Sequence, residues 1–159
     1  MVLFWLLACA VAAQDSPSGE PCEPGTEPWL EIGKGERSFS LMSAEDGELE
    51  LVRGPQGGVH AAVAFRARLL DDSAPVVTRI VAEADGQILA DVSPYLSFRC
   101  VGPDGMQEAW GAILVFSTAD PDSLDGRQIT LTATVTDVAN SVAHATVHAT
   151  LVNAEAAAD

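Results

Sequence analysis

The segment Ile129-Thr130-Leu131-Thr132-Ala133-Thr134-Val135-Thr136 alternates apolar residues with threonine without a break. A period of two puts Ile129, Leu131, Ala133 and Val135 on one face of an extended strand and the threonines on the other. An amphipathic helix would repeat its apolar face about every 3.6 residues, so this stretch excludes one. Threonine on the outer face suits a pleated, half-exposed surface. Asp137-Val138-Ala139-Asn140 supplies turn residues, and Ala143, Ala145, Val147, Ala149 and Leu151 return on the core side. The chain therefore ends in a long hairpin with one apolar face.

The same logic extends upstream. Val59, Ala61, Val63, Phe65, Ala67 and Leu69 fall on one face of a strand, with His60, Arg66 and Arg68 on the other. Leu49 to Val52 reads as a short strand ending at Gly54-Pro55. Val76–Glu83 and Gln87–Val92 flank Asp85-Gly86, the strongest short hairpin signal. Tyr95–Val101 and Met106–Phe116 flank Pro103-Asp104-Gly105. In the last of these, Trp110, Ala112, Leu114 and Phe116 share one face and Ile113 and Val115 the other, which predicts a central strand covered on both sides at one end. No long segment has a helical period. Short strands at this spacing predict an all-β, immunoglobulin-like antiparallel β-sandwich of about 7–9 strands. With 48% apolar residues in 159, the chain can fill one core.

Two blocks carry resemblances. Leu124-Asp125-Gly126-Arg127-Gln128 running into Ile129–Asp137 resembles the late-strand signature of bacterial immunoglobulin-like domains, where Gly precedes an alternating strand that ends in Asp. Leu49-Glu50-Leu51-Val52-Arg53-Gly54-Pro55-Gln56-Gly57-Gly58-Val59-His60 resembles a segment of bacterial lipoproteins with a Gly-Pro-Gln-Gly-Gly loop, then His, on a sandwich domain. These likenesses imply location and fold but no activity.

The other end of the chain bears on location. Met1 to Val11 is almost entirely apolar and far shorter than the roughly 20 residues of a membrane-spanning helix. It fits the apolar region of a signal peptide, although no Lys or Arg precedes Lys34, as a start codon assigned too far downstream would explain. Leu6-Leu7-Ala8-Cys9 places a small residue before a cysteine, the arrangement at which bacterial lipoproteins are cut and lipidated. The expectation is a signal over 1–8, a lipid anchor on Cys9, and a Pro-rich tether over 9–28 holding Pro17, Pro21, Pro24 and Pro28. The sandwich then spans 29–153, with a disordered tail over 154–159. A plain secretory signal cut after Ala12-Ala13, releasing a soluble protein, is the alternative.

Three cysteines leave an odd one in an exported protein. If Cys9 carries lipid, Cys22 and Cys100 remain to form a disulfide in an oxidising compartment. Otherwise both are unpaired and Cys100 is a small core residue. Net charge is −15, from 23 acidic and 8 basic residues. That excludes a nucleic-acid partner, which requires a positive footprint, and electrostatic docking on anionic lipid.

The strangest local sequence is Gly54-Pro55-Gln56-Gly57-Gly58. Three glycines permit positive φ and close backbone approach, and loops on a rigid scaffold often carry function. Loop amides, Gln56 and the nearby His60 make a candidate binding site. A metal reading needs His60 to meet His144 or His148 from a neighbouring strand, for copper or zinc. His144 and His148 alone lie about 13 Å apart along one strand and cannot share an ion. Asp120, Asp122 and Asp125 are a weaker candidate for calcium. No nucleophile elbow, His-Glu-x-x-His or phosphate-binding loop is present in the sequence. The sequence therefore reads as a non-catalytic binding module without a cofactor, whose partner is an envelope protein or polymer.

Overall fold

The computed structural model describes residues 27–43, 47–101, 104–118 and 120–153. Cys9, Cys22, the signal segment, nearly all of the tether and the tail lie outside the described residues. Eleven strands follow in order: β1 Trp29–Lys34, β2 Ser40–Leu41, β3 Glu48–Arg53, β4 Val59–Arg68, β5 Val76–Ala84, β6 Gln87–Val92, β7 Tyr95–Leu96, β8 Arg99–Cys100, β9 Gln107–Val115, β10 Gln128–Thr136 and β11 Val142–Asn153. Eight have six residues or more, and β2, β7 and β8 have two each. The expected all-β sandwich is what the chain forms.

One layer is ordered β2–β1–β4–β9–β8. The other is ordered β11–β10–β5, with β6 and β7 both beside β5. Strand β3 belongs to both layers. Its first four residues pair parallel with β11, and its last two pair antiparallel with β4. This parallel pair departs from the fully antiparallel expectation, because β3 must cross from one layer to the other within six residues. On the opposite flank Ser117 N donates to Leu89 O (3.1 Å), tying the end of β9 to β6.

The core follows the alternation. Val59, Ala61, Val63, Phe65 and Ala67 of β4 are fully buried and pack with Ile129, Leu131, Ala133 and Val135 of β10 in one cluster. Asp85 (φ 53°) and Gly86 (φ 73°) form the predicted hairpin turn between β5 and β6. Asp137 closes the last hairpin. Its Oδ1 accepts from Ser141 N (2.7 Å) and its Oδ2 from Asp71 N (2.9 Å), so one buried carboxylate binds the turn to the loop after β4.

Two departures concern phase. Leu69 adopts φ 68°, so β4 ends at Arg68 and Leu70, not Leu69, turns into the core. Gln107, fully buried at the start of β9, supplies Leu70 with a substitute strand partner. Gln107 Oε1 accepts from Leu70 N (3.2 Å) and Nε2 donates to Leu70 O (2.9 Å). In β9, Gly111 (φ 74°) inserts a bulge, and the pairing with β4 shifts between Val63 and Phe65. Gln107 and Ala109 face inward before it, and Ala112 and Leu114 after it. Trp110 therefore points outward, not into the core with Ala112, and Ile113 and Val115 are exposed rather than covered by a second layer.

Candidate functional site

The loop Gly54–Gly58 connects β3 to β4. Gly54 N donates to Gly58 O and Gly57 N donates to Gly54 O, both at 2.8 Å. The second bond closes a tight turn that puts Gly57 at φ 83°, a conformation that side-chain-bearing residues rarely adopt. Gly57 is thus a backbone requirement. Gly58 is not: its φ is not positive, and a Cβ built there meets nothing within 4 Å. A Cβ at Gly54 would rest in ordinary contact on the His60 ring, 3.6 Å from Cε1 and Nδ1.

Cross-strand register builds the floor. Val52 pairs with His60 and His60 with Val115, so the three side chains form one row across β3, β4 and β9. Ala62 and Ile113 form the next row. Ile113 is 42% exposed and Val115 52% exposed. Gly54, Pro55, Gln56, Gly58, His60, Ile113 and Val115 line one shallow, mainly apolar depression of about 260 Å³. The structure thus brings the sequence-predicted loop and His60 together and adds Ile113 and Val115. Sequence reasoning had placed those two under a second layer. Their outward phase relative to Leu114 was the available signal.

Beside this depression the same face is covered locally. The ring of Phe39 lies against Gly33 so closely that a Cβ there would overlap it. Gly33 pairs with Ala64, which is buried although it points outward. The Arg66 guanidinium stacks 4.3 Å from the Phe39 centroid, and its Nε donates to Glu108 Oε1 at 2.8 Å. Glu31, Arg66, Glu108 and Arg99 alternate in sign across four paired strands. The basic residues beyond the depression are thus occupied locally or lie outside its lining.

The histidines do not converge. His144 and His148 are exposed on the outer face of β11, where Nδ1 of each lies near a threonine hydroxyl of β10: Thr134 at 3.0 Å and Thr130 at 3.3 Å. Thr150 pairs with Glu48, and His60 stands level with Val52. His148 is therefore about six residues, or about 20 Å, from the level of His60, and His144 farther still. Metal–nitrogen bonds are about 2 Å, so the alternative His60–His144 or His60–His148 pairing is not made. Among the described residues no group of three or more His, Cys, Asp or Glu is placed to hold a metal ion.

The acidic loop has a structural use. Asp120 Oδ1 caps the short 3-10 turn Pro121–Ser123 by accepting from Asp122 N (3.2 Å). Asp122 Oδ1 accepts from Asn153 Nδ2, and Asp125 Oδ1 from Asn153 N, each at 2.7 Å. These carboxylates fasten the loop to the end of β11. Cys100, in β8, is exposed rather than part of the core, and its Sγ lies 3.7 Å from Asp72 Oδ2.

His60 makes no side-chain hydrogen bond among the described residues. The arrangement offers apolar contact, an exposed Gln56 amide and an imidazole, the chemistry of recognition of a small apolar group. No family model matches the chain, and no curated protein matches its sequence.

Proposed function

We propose that this chain is an exported module of the bacterial cell envelope, anchored through lipid on Cys9. In this reading it binds an envelope protein or polymer through the depression under the Gly54–Gly58 loop, without catalysis. One observation carries the binding reading: the loop and the outer face of β9 leave Ile113 and Val115 exposed in a common concavity. Gly54 and Gly58, neither of which has a positive φ, line its rim without side chains. The export reading draws support from the apolar Met1–Val11, from Ala8 before Cys9, and from the proline-rich stretch that follows. No helix among the described residues is long and apolar enough to cross a membrane. A Cys22–Cys100 disulfide belongs to the same proposal, and the exposed position of Cys100 at the layer edge suits it.

Two experiments test the proposal separately. Cys9→Ser should move the protein from the membrane to the soluble fraction, and a protein already soluble with Cys9 intact would sink the anchor. Affinity capture from envelope extracts should recover a partner with the native chain and lose it with Val115→Asp. Equal recovery by both chains would remove the depression from the account.

A further inference from the structure

A second concavity lies farther along β9, where the edge of that layer meets β7. Tyr95, Ser97, Arg99, Trp110 and Gly111 line this cleft of about 310 Å³. Backbone features place its aromatic groups. The Gly111 bulge turns Trp110 outward. A Cβ at Gly111 would sit 2.9 Å from Glu36 O, and Gly111 N donates to Gly35 O (3.1 Å), which holds the bulge in place. Pairing of Tyr95 with Val77 fixes β7, yet leaves Tyr95 73% exposed.

The polar group is equally distinctive. Arg66, Arg68, Arg79 and Arg127 each pair with a carboxylate. Arg99 forms no ion pair among the described residues, and its guanidinium lies 5.8 Å from the Trp110 ring centroid. At that distance the cationic group is drawn to the ring face, and its N–H donors have no hydrogen-bond partner among the described residues. Ser97 adds a hydroxyl to the same cleft.

We infer that this cleft binds a sugar ring of an uncharged saccharide. A pyranose has an apolar C–H face and a rim of hydroxyl oxygens. Tyr95 and Trp110 offer π-faces and edges to the first, and Arg99 and Ser97 donate to the second. The net charge of −15 disfavours a polyanionic ligand. The site is independent of the Gly54–Gly58 depression and of the export reading.

The test is a titration of the isotopically labelled chain with two probes, a glucose trimer and an N-acetylglucosamine trimer, followed by amide and indole resonances. The Trp110 indole is assigned with a Trp110→Phe variant. The expected result is a saturable shift of the Trp110 indole and the Gly111 amide by one probe or both, while His60 and Val115 stay fixed. Tyr95→Ala and Arg99→Ala, at exposed positions, should each weaken binding about threefold to tenfold. No shift with either probe at tens of millimolar would overturn the assignment. So would equal binding by both variants with an otherwise unchanged spectrum.

Discussion

Replacing Gln107 with leucine isolates the contact that holds the start of the β4–β5 connection against β9. Gln107 is fully buried, and its amide satisfies both backbone groups of Leu70 just after the left-handed Leu69. Leucine keeps similar bulk but removes both hydrogen bonds, leaving one N–H and one carbonyl without partners. Each orphaned buried group costs about 1–3 kcal/mol. The extra apolar burial returns about 1–2 kcal/mol, so the net loss is about 3 kcal/mol. With a urea slope of about 1–3 kcal/mol/M, the midpoint should fall by about 1–3 M with the slope unchanged. Gln107→Glu supplies an internal control. A protonated carboxyl can accept from Leu70 N and donate to Leu70 O, whereas the ionised form can only accept and is buried. Its folded-state pKa would therefore be raised. The variant should be closest to the native protein below about pH 4, the unfolded Glu value, and lose stability as pH rises through the folded value. A loss below about 0.5 kcal/mol for Gln107→Leu, with an unchanged slope, would refute the reasoning.

Other expectations follow from single observations. Thr78 Oγ1 is buried with no hydrogen-bond partner among the described residues, so Thr78→Val should stabilise by about 1 kcal/mol in the same urea assay. Gly111→Ala meets both φ 74° and the Glu36 carbonyl, and should cost about 1–3 kcal/mol, read as a lowered thermal midpoint. The hydrogen-bonded Arg79 guanidinium holds the Asp91 carboxyl below the usual range. Its stabilisation is present above the unfolded value of about 3.9 and lost as pH falls through the folded one. Asp91→Asn should therefore flatten the acid limb of a stability–pH curve. Added salt should shrink the difference, since the pair is exposed.

Much of the fold was legible because strands that are half-buried write their geometry into alternation. The β4 face, the β10–β11 hairpin and the Asp85-Gly86 turn all rest on contacts between near neighbours in sequence or on local dihedral preference. What escaped needed distant partners. β9 carries apolar residues in both phases, so pattern alone could not reveal that Gly111 shifts the register and sends Trp110 outward. Leu69 gives no local sign of a positive φ, and the residue after it, Leu70, is held by the buried Gln107 from 37 residues away. Phe39 sits in a loop without periodicity and becomes a cover only because Gly33 and Ala64 leave room beneath it. At the candidate site, the glycine loop and His60 were readable as an anomaly. Ile113 and Val115 joined them only through the β4–β9 register. The alternative of a histidine cluster could not be judged from sequence for the same reason, since the level of each histidine in the sandwich is set by strand register.

The most direct test of the central claim is a photo-crosslinking residue placed at Ile113, in cells that express the chain with Cys9 intact. Thr146, exposed on the outer face of the other layer, is the control position. The account predicts a discrete adduct in the membrane fraction from position 113, absent from position 146 and abolished by Val115→Asp. Equal labelling from both positions, or no adduct from position 113, would contradict a binding site beneath the Gly54–Gly58 loop.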